Sequence, residues 1–338
     1  MKFHVVPVNQ KILILGGTGF VGPAVVSLLV RSGQDVTLLN RGTRAVPDTR
    51  HLQADRNRPQ DLKKVLHSAD SHYDAIIDLS CYDAEQARLA WEAFSSRTRR
   101  WIYLSSAAVY KDDTDTPPKE SARVGGTGLW GRYGIDKYAA EQFLLTHAQG
   151  DYSPQVIILR APYIYGPQNN IDRETFVWVR ALNAQPVFIP GDGQTPIQFL
   201  HVSDLADAIK LFIDTSTLAT FPGIYNIAAD ECPTLREWVS LLAEIAGVKD
   251  PGIIAGELAN DFLPRQFFPF RDCRCWVDSS LIKTEVNWFP RYSLKEGFLH
   301  TYQSYPENSL KHFPINDHIR NIENQLNRKY VMRSACNT

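Results

Sequence analysis

The sequence predicts an α/β protein: a doubly wound parallel sheet with a smaller C-terminal lobe interleaved with it. Three observations carry this expectation. Short apolar runs alternate with helix-like segments from residue 11 to residue 160, the pattern of parallel strands joined by crossover helices. The first apolar run enters a turn containing Gly16, Gly17, Gly19 and Gly22 and then the helix-like stretch AVVSLLV. That strand, glycine turn and helix would bring backbone N–H groups and a helix N-terminus to a pyrophosphate, as in a Rossmann-type sheet. Finally, 338 residues are enough for a large domain and a second lobe, and the alternation loosens after about residue 170.

Ile12, Leu13, Ile14 and Leu15 form a run suited to a strand buried on both faces. Two glycine spacings overlap behind it. Gly17-x-Gly19-x-x-Gly22 fits the general dinucleotide fingerprint and Gly16-x-x-Gly19-x-x-Gly22 a more specialised one. Residues 12–30 are apolar enough to suggest a membrane span, but four glycines and Pro23 interrupt them. No signal peptide is expected either, because no small-residue cleavage site follows a compact apolar core.

A second strand over 35–39 ends at Asn40-Arg41-Gly42. This is about 20 residues past the glycines, where an acid would hold the adenosine ribose of NAD. Arg41, with Arg44 nearby, offers guanidinium groups suited to a 2′-phosphate instead, which favours NADP over NAD. Further strands are expected over 51–55, 73–79, 101–105 and 154–159, and helices over 60–67, 84–96 and 132–149. Asp55, Ser80 and Ser106 fall at the carboxyl ends of strands, where doubly wound sheets bind ligands.

Residues 111–131 read as a long polar loop. Residues 200–209 look strand-like and then helical, 223–227 form a strand, and 234–247 form an amphipathic helix with a glycine stop. Residues 251–270 look irregular, and the tail after Pro314 reads as a peripheral helix or a disordered segment. The expected domains are a dinucleotide-binding one over 8–170, with 196–230 returning to it, a substrate lobe over 171–195 and 231–313, and a polar tail over 314–338.

The net charge of −1 supplies no basic field for nucleic acid or an anionic membrane. Five cysteines, scattered and without paired ligand spacing, predict no metal site and suit reduced thiols in a cytoplasmic protein.

Tyr133-Gly-Ile-Asp-Lys137 puts a phenol and an ammonium on one helix face. The cation would lower the phenol's pKa from about 10 towards a range useful for proton transfer. The spacing is common by chance and gains weight only from its companions. One companion is Ser105-Ser106-Ala-Ala-Val-Tyr110, where Ser106 could hydrogen-bond a substrate oxygen and hold it for the tyrosine.

The ordered set GGTGFVG, LSSAAVY, YGIDK, LRAPYIYGP and FLHVSDLADAI resembles the short-chain dehydrogenase/reductase superfamily, in its extended and atypical branch of NAD-dependent epimerases and dehydratases. The resemblance covers about residues 10–305. It implies that Ser106 orients the substrate, Tyr133 is the general acid/base, and Lys137 binds the nicotinamide ribose and lowers the tyrosine pKa. It implies that Gly16, Thr18, Gly19, Phe20, Val21 and Gly22 hold the pyrophosphate, that Asp55 and Arg56 lie by the adenine, that Leu79 and Ser80 line the dinucleotide, and that Pro162 sits near the nicotinamide. Asn40 and Arg41 complete the cofactor set. The resemblance also implies a homodimer built through the helices over 84–96 and 132–149, with Leu89, Trp91, Phe143 and Leu144 compatible with that interface or with the core.

Departures narrow the expectation. Sugar-nucleotide dehydratases carry an Asp-Glu pair where Ala107-Ala108 stand, so the acid that expels water is missing. Tyr163 replaces an asparagine common in epimerases, and Ile197-Gln198 replaces an Arg-Asp pair that would clamp a diphosphate. The leading expectation is an NAD(P)(H)-dependent oxidoreductase interconverting a secondary alcohol and a ketone on a small-molecule substrate. The alternatives are a sugar or nucleotide-sugar epimerase using transient oxidation, and a non-catalytic RNA-binding or regulatory relative.

Overall fold

Every apolar run expected between residues 11 and 160 is a strand in the computed structural model of the chain, which describes residues 9–42, 44–111, 115–126, 129–214, 223–255 and 261–336. Residue 8, where the first domain was expected to begin, lies outside the described residues. So do parts of the expected 111–131 loop, of the 196–230 return and of the 251–270 stretch, and the last two residues of the tail.

The alternation opens with β1 (Lys11–Leu15), α1 (Gly22–Arg31), β2 (Asp35–Asn40), β3 (Arg50–Gln53), α2 (Pro59–Val65), β4 (Ala75–Asp78) and α3 (Ala84–Phe94). It continues with β5 (Arg100–Ser106), α4 (Arg132–His147) and β6 (Gln155–Ala161). Then come β7 (Tyr163–Tyr165), α5 (Glu174–Leu182), β8 (Val187–Phe188), β9 (Phe199–His201), α6 (Val202–Asp214) and β10 (Gly223–Asn226). The chain ends with α7 (Leu235–Ile245), β11 (Ile253–Ile254), α8 (Ser280–Val286), α9 (Leu294–Gln303) and α10 (Asp317–Cys336).

Seven strands form one sheet in the order β10-β6-β5-β4-β1-β2-β3, all neighbours parallel. The order reverses between β1 and β4, where a crevice opens beyond the strand ends. Alternate residues of β1 face opposite sides. Ile12 and Ile14 join Val25, Val26 and Leu29 of α1 and Leu205, Ile209 and Phe212 of α6. Leu13 and Leu15 share the opposite cluster with Leu89, Trp91 and Phe94 of α3 and Ala140 and Leu144 of α4. Cover on both faces explains why the strands are continuously apolar rather than alternating. It also accounts for three of the positions compatible with a dimer: Leu89, Trp91 and Leu144 are buried in the chain's own core, while Phe143 is partly buried and stacks on His147 with ring centroids 4.0 Å apart.

The chain divides into two compact units. The first comprises residues 1–164, 200–230 and 277–291. Its last segment returns because Ile282, Val286 and Trp288 join the apolar cluster around α1 and α6, a return the hydropathy pattern does not announce.

The second unit comprises 165–199, 231–276 and 292–338 and has an aromatic core in which Phe199, Trp238, Phe270 and Phe298 interlock. Its helix α5 is buried from Glu174 through Ala181, and a helix covered on all sides shows no amphipathic period to read. The stretch expected to be irregular contains β11, which pairs in parallel with β8. The described part of the tail is the helix α10, held by buried Ile322 and Leu326 and by an Arg180–Glu323 ion pair at 2.6 Å. Among the described residues, no helix is long and apolar enough to cross a membrane.

Candidate functional site

The glycine turn after β1 separates the demands of the fold from those of a ligand. A Cβ on Gly22 would stand 2.3 Å from the carbonyl carbon of Gly17, so the turn closes onto α1 only with glycine there. Gly16 and Gly17 hold φ of +108° and +88°, which other residues rarely adopt. Gly19 differs: nothing lies within 4 Å of its would-be Cβ, and its backbone is not left-handed among the described residues. Among the described residues nothing requires glycine there, whereas close approach of a pyrophosphate would. Behind it, the N-cap of α1, Val21, makes no side-chain cap and the first turn carries no acid, leaving the positive end of the helix dipole for an anion. The cofactor-binding fingerprint therefore fits this turn. Thr18, Phe20 and Val21 are half-buried along it.

At the end of β2, Asn40 Oδ1 accepts the Gly42 N–H at 2.7 Å, while its buried Nδ2 has no partner among the described residues. Arg41 and Arg44 are exposed, as a 2′-phosphate site would require. Asp55 caps its own turn, with Oδ1 accepting the Asn57 backbone N–H at 3.0 Å.

Arg56, implied to lie by the adenine, is engaged within the chain. Its guanidinium grips both oxygens of Asp78, at 2.6 and 2.8 Å, and also donates to Ser80 Oγ at 2.8 Å and to the Gln86 carbonyl. Burial alone would pull its pKa down, but the Asp78 charge and hydrogen bonds carry it above its ordinary range. Arg56 is thus a brace beneath the loop after β4. That loop sits against the glycine turn: Ser80 Oγ donates to the Leu15 carbonyl at 3.0 Å, and the Leu79 N–H donates to the same oxygen at 3.2 Å.

The same loop builds half of a cage for Lys137. From α4 the buried ammonium donates to the carbonyls of Cys81 (2.8 Å) and Leu104 (2.6 Å). It lies 4.6 Å from the ring centroid of Tyr103 and 5.7 Å from that of Tyr82. Burial pulls its pKa down to about 8, against the opposing pull of Asp78 and Glu141, so at neutral pH it is still mostly a cation. An ammonium has three donors, and two are used by these carbonyls.

One turn earlier on α4, Tyr133 is 42 % exposed. Ser106 ends β5, and its Oγ accepts the Ala108 N–H at 3.2 Å, which leaves the hydroxyl proton to donate. The helix can reach this turn only because residue 134 is glycine: a Cβ there would lie 2.3 Å from the Ala108 carbonyl oxygen. Pro162 is buried directly after β6.

Sequence reasoning missed a buried charge network that pins α4. Glu141 receives the guanidinium of Arg160 from β6 at 2.6 Å and a hydrogen bond from Ser105 Oγ. Arg160 also donates to Tyr110 Oη at 3.3 Å, and that hydroxyl donates to Asn226 Oδ1 at 2.5 Å. Glu141 falls one further turn along the Tyr133–Lys137 face, which is the one sequence signal that could have flagged it. Gly134 was visible inside the YGIDK motif, but its packing partner is a backbone oxygen, which the sequence does not show.

Comparison with known proteins gives the family. The model of the NAD dependent epimerase/dehydratase family matches residues 12–228. The chloroplast stem-loop binding protein of 41 kDa b from Arabidopsis thaliana is 27 % identical over 310 residues, covering 87 % of this chain and 79 % of that protein. A probable GDP-L-fucose synthase 1 from Oryza sativa subsp. japonica is 26 % identical, covering 89 % of this chain and 93 % of that protein. Among solved structures, UDP-glucose 4-epimerase from Thermotoga maritima, determined with UDP-glucose, superposes with a TM-score of 0.72 at 19 % identity, covering 87 % of this chain and 97 % of that one. The seven-stranded parallel sheet, the glycine turn and a family match across well over half of the chain lead to one conclusion: the chain belongs to the NAD dependent epimerase/dehydratase family.

Proposed function

We propose that this enzyme interconverts a secondary alcohol and a ketone on a small-molecule substrate, with NADP as its cofactor and Ser106, Tyr133 and Lys137 as its working residues. The observation that carries the reading is an accessible phenol one helical turn before a caged, charged lysine, on a helix packed against the turn of Ser106. Ser106 donates its hydroxyl proton to the substrate oxygen and orients it. Tyr133 gives a proton to that oxygen on reduction and takes it back on oxidation. Lys137 stabilises the phenolate by its charge, and its remaining donor is available to a ribose hydroxyl. The bound nicotinamide supplies the hydride donor or acceptor. The glycine turn, the start of α1, Asn40, Leu79, Ser80 and Pro162 hold the cofactor, and exposed Arg41 and Arg44 favour a 2′-phosphate.

Ala107 and Ala108 are buried in the turn after Ser106, so no acid stands there to expel water, which speaks against dehydration. In the test, Tyr133→Phe lowers turnover by at least 10²-fold while NADPH binding, read by fluorescence titration, is retained. Wild-type rates in this variant would overturn the mechanism.

Two other readings have specific support. The epimerase among the structural neighbours favours transient oxidation with return of the hydride, for which nicotinamide absorbance shows no net change during turnover. The stem-loop binding relative favours RNA binding, against which the net charge of −1 argues. A salt-sensitive RNA shift unaffected by Tyr133→Phe would support that reading instead.

A further inference from the structure

We propose that Tyr82, outside the Ser106–Tyr133–Lys137 set, is a positioning residue whose ring closes the open side of the Lys137 cage and braces the ring of Tyr133. Tyr82 is 59 % exposed. Its ring centroid lies 6.4 Å from that of Tyr133, tilted by 58°, within the range of favourable aromatic pairs. The same ring lies 5.7 Å from Lys137 Nζ, within reach of a cation–π attraction.

The backbone around Tyr82 is fixed independently of its ring. Its N–H donates to Gln86 Oε1 at 2.8 Å, and the Gln86 carbonyl accepts from Arg56. The preceding carbonyl, of Cys81, accepts from Lys137 itself. Arg56 therefore sets the loop, and the loop sets both a carbonyl and a ring against the ammonium.

The groups acting on Lys137 divide by sign. Burial and the Arg56 charge oppose its proton, while Asp78 and Glu141 favour it. The Cys81 thiol is held neutral, burial having pushed it up to about 12, and burial likewise keeps the Tyr103 phenol protonated. From the β5 side the ammonium meets the Tyr103 face, from the β4 loop the Tyr82 face, and on its own helix Tyr133 lies one turn away. The Tyr82 face is the exposed one, and it is the part of the cage that can be removed without opening the core.

The inference rests on the proposed function only for the role of Tyr133; the behaviour of Lys137 is measurable without a substrate. The full chain is labelled with ¹³C at lysine Cε, and the Lys137 resonance is identified by its loss in Lys137→Met and followed across pH. Tyr82→Leu is expected to lower the Lys137 midpoint by about half to one unit, whereas Tyr82→Phe, which keeps the ring, stays within a few tenths of wild type. An unchanged midpoint in Tyr82→Leu, or equal shifts in both variants, would overturn the proposal. Melting temperature and the remaining lysine resonances report folding, and Tyr82→Trp is the second variant, expected to hold or raise the midpoint. A shifted midpoint alongside full activity in Tyr133→Phe would retain the Tyr82 assignment and reject the proposed function instead.

Discussion

Replacing Gly134 with alanine tests whether α4 really is seated against the Ser106 turn. In an unobstructed helix, alanine is more favourable than glycine by about 1 kcal/mol, so open space would give a more stable protein. The structure reverses that expectation. The new Cβ would lie 2.3 Å from the Ala108 carbonyl oxygen and 3.3 Å from Trp130 Cβ, and backbone rather than a flexible side chain must give way. Overpacking of this kind costs about 1–3 kcal/mol, enough to cancel the propensity gain and leave a net loss of up to about 2 kcal/mol. In a chain of this size that is a fall in melting temperature of a few degrees, at about 2–4 °C per kcal/mol. Activity is expected to fall further than stability. Moving α4 outward carries Tyr133 and Lys137 away from Ser106, and a displacement of about 1 Å in a reacting group costs on the order of 10²-fold in rate. Thermal unfolding and steady-state turnover of Gly134→Ala, measured beside wild type, decide the matter. A variant more stable than wild type with unchanged kcat would refute the close packing of α4 on the Ala107–Val109 turn.

Two further substitutions separate the fold from the ligand. Gly19→Ala places its methyl in open space, so thermal stability should stay within about 0.5 kcal/mol of wild type while NADPH affinity, by fluorescence titration, falls at least tenfold; unchanged affinity would remove Gly19 from the cofactor site. Arg56→Met leaves the Asp78 carboxylate, 1 % exposed, without its cation, and should cost about 3–5 kcal/mol in denaturant unfolding. Replacing Asp78 with leucine as well should recover much of that loss, and a single variant as stable as wild type would refute the role of Arg56 as a brace on Asp78.

The sheet was legible because its strands are buried on both faces, which makes each an uninterrupted apolar run such as Ile12–Leu15 or Ile76–Ile77. The parts of the site carried by short spacing were legible too: the glycine turn and the one-turn interval between Tyr133 and Lys137. What escaped depends on partners far apart in sequence or on main-chain atoms. Arg56 meets Asp78 across 22 residues, and Lys137 reaches the carbonyls of Cys81 and Leu104 across 56 and 33 residues. No side-chain pattern marks a carbonyl as a ligand. Helix α5 escaped for the opposite reason, because burial on every side erases the periodicity that betrays a helix. The tail's helix stayed one of two readings because, among the described residues, α10 buries little beyond Ile322, Leu326 and Glu323, so its sequence reads as polar throughout.

The burial of Lys137 explains why so much structure converges on one side chain. An exposed ammonium one turn from Tyr133 would act through water, where a unit charge at about 4 Å is worth only about 1 kcal/mol, too little to move a phenol far. Withdrawing it from solvent strengthens its field but penalises the charge itself, which is why its pKa is pulled down to about 8. A buried lysine without compensation would become neutral and useless as a cation. The two carbonyls, the Tyr103 and Tyr82 faces, and the charges of Asp78 and Glu141 offset that penalty enough to keep it protonated at neutral pH. The Arg56–Asp78 and Arg160–Glu141 pairs both enter this balance, Arg56 acting against the Lys137 proton and Asp78 and Glu141 in its favour.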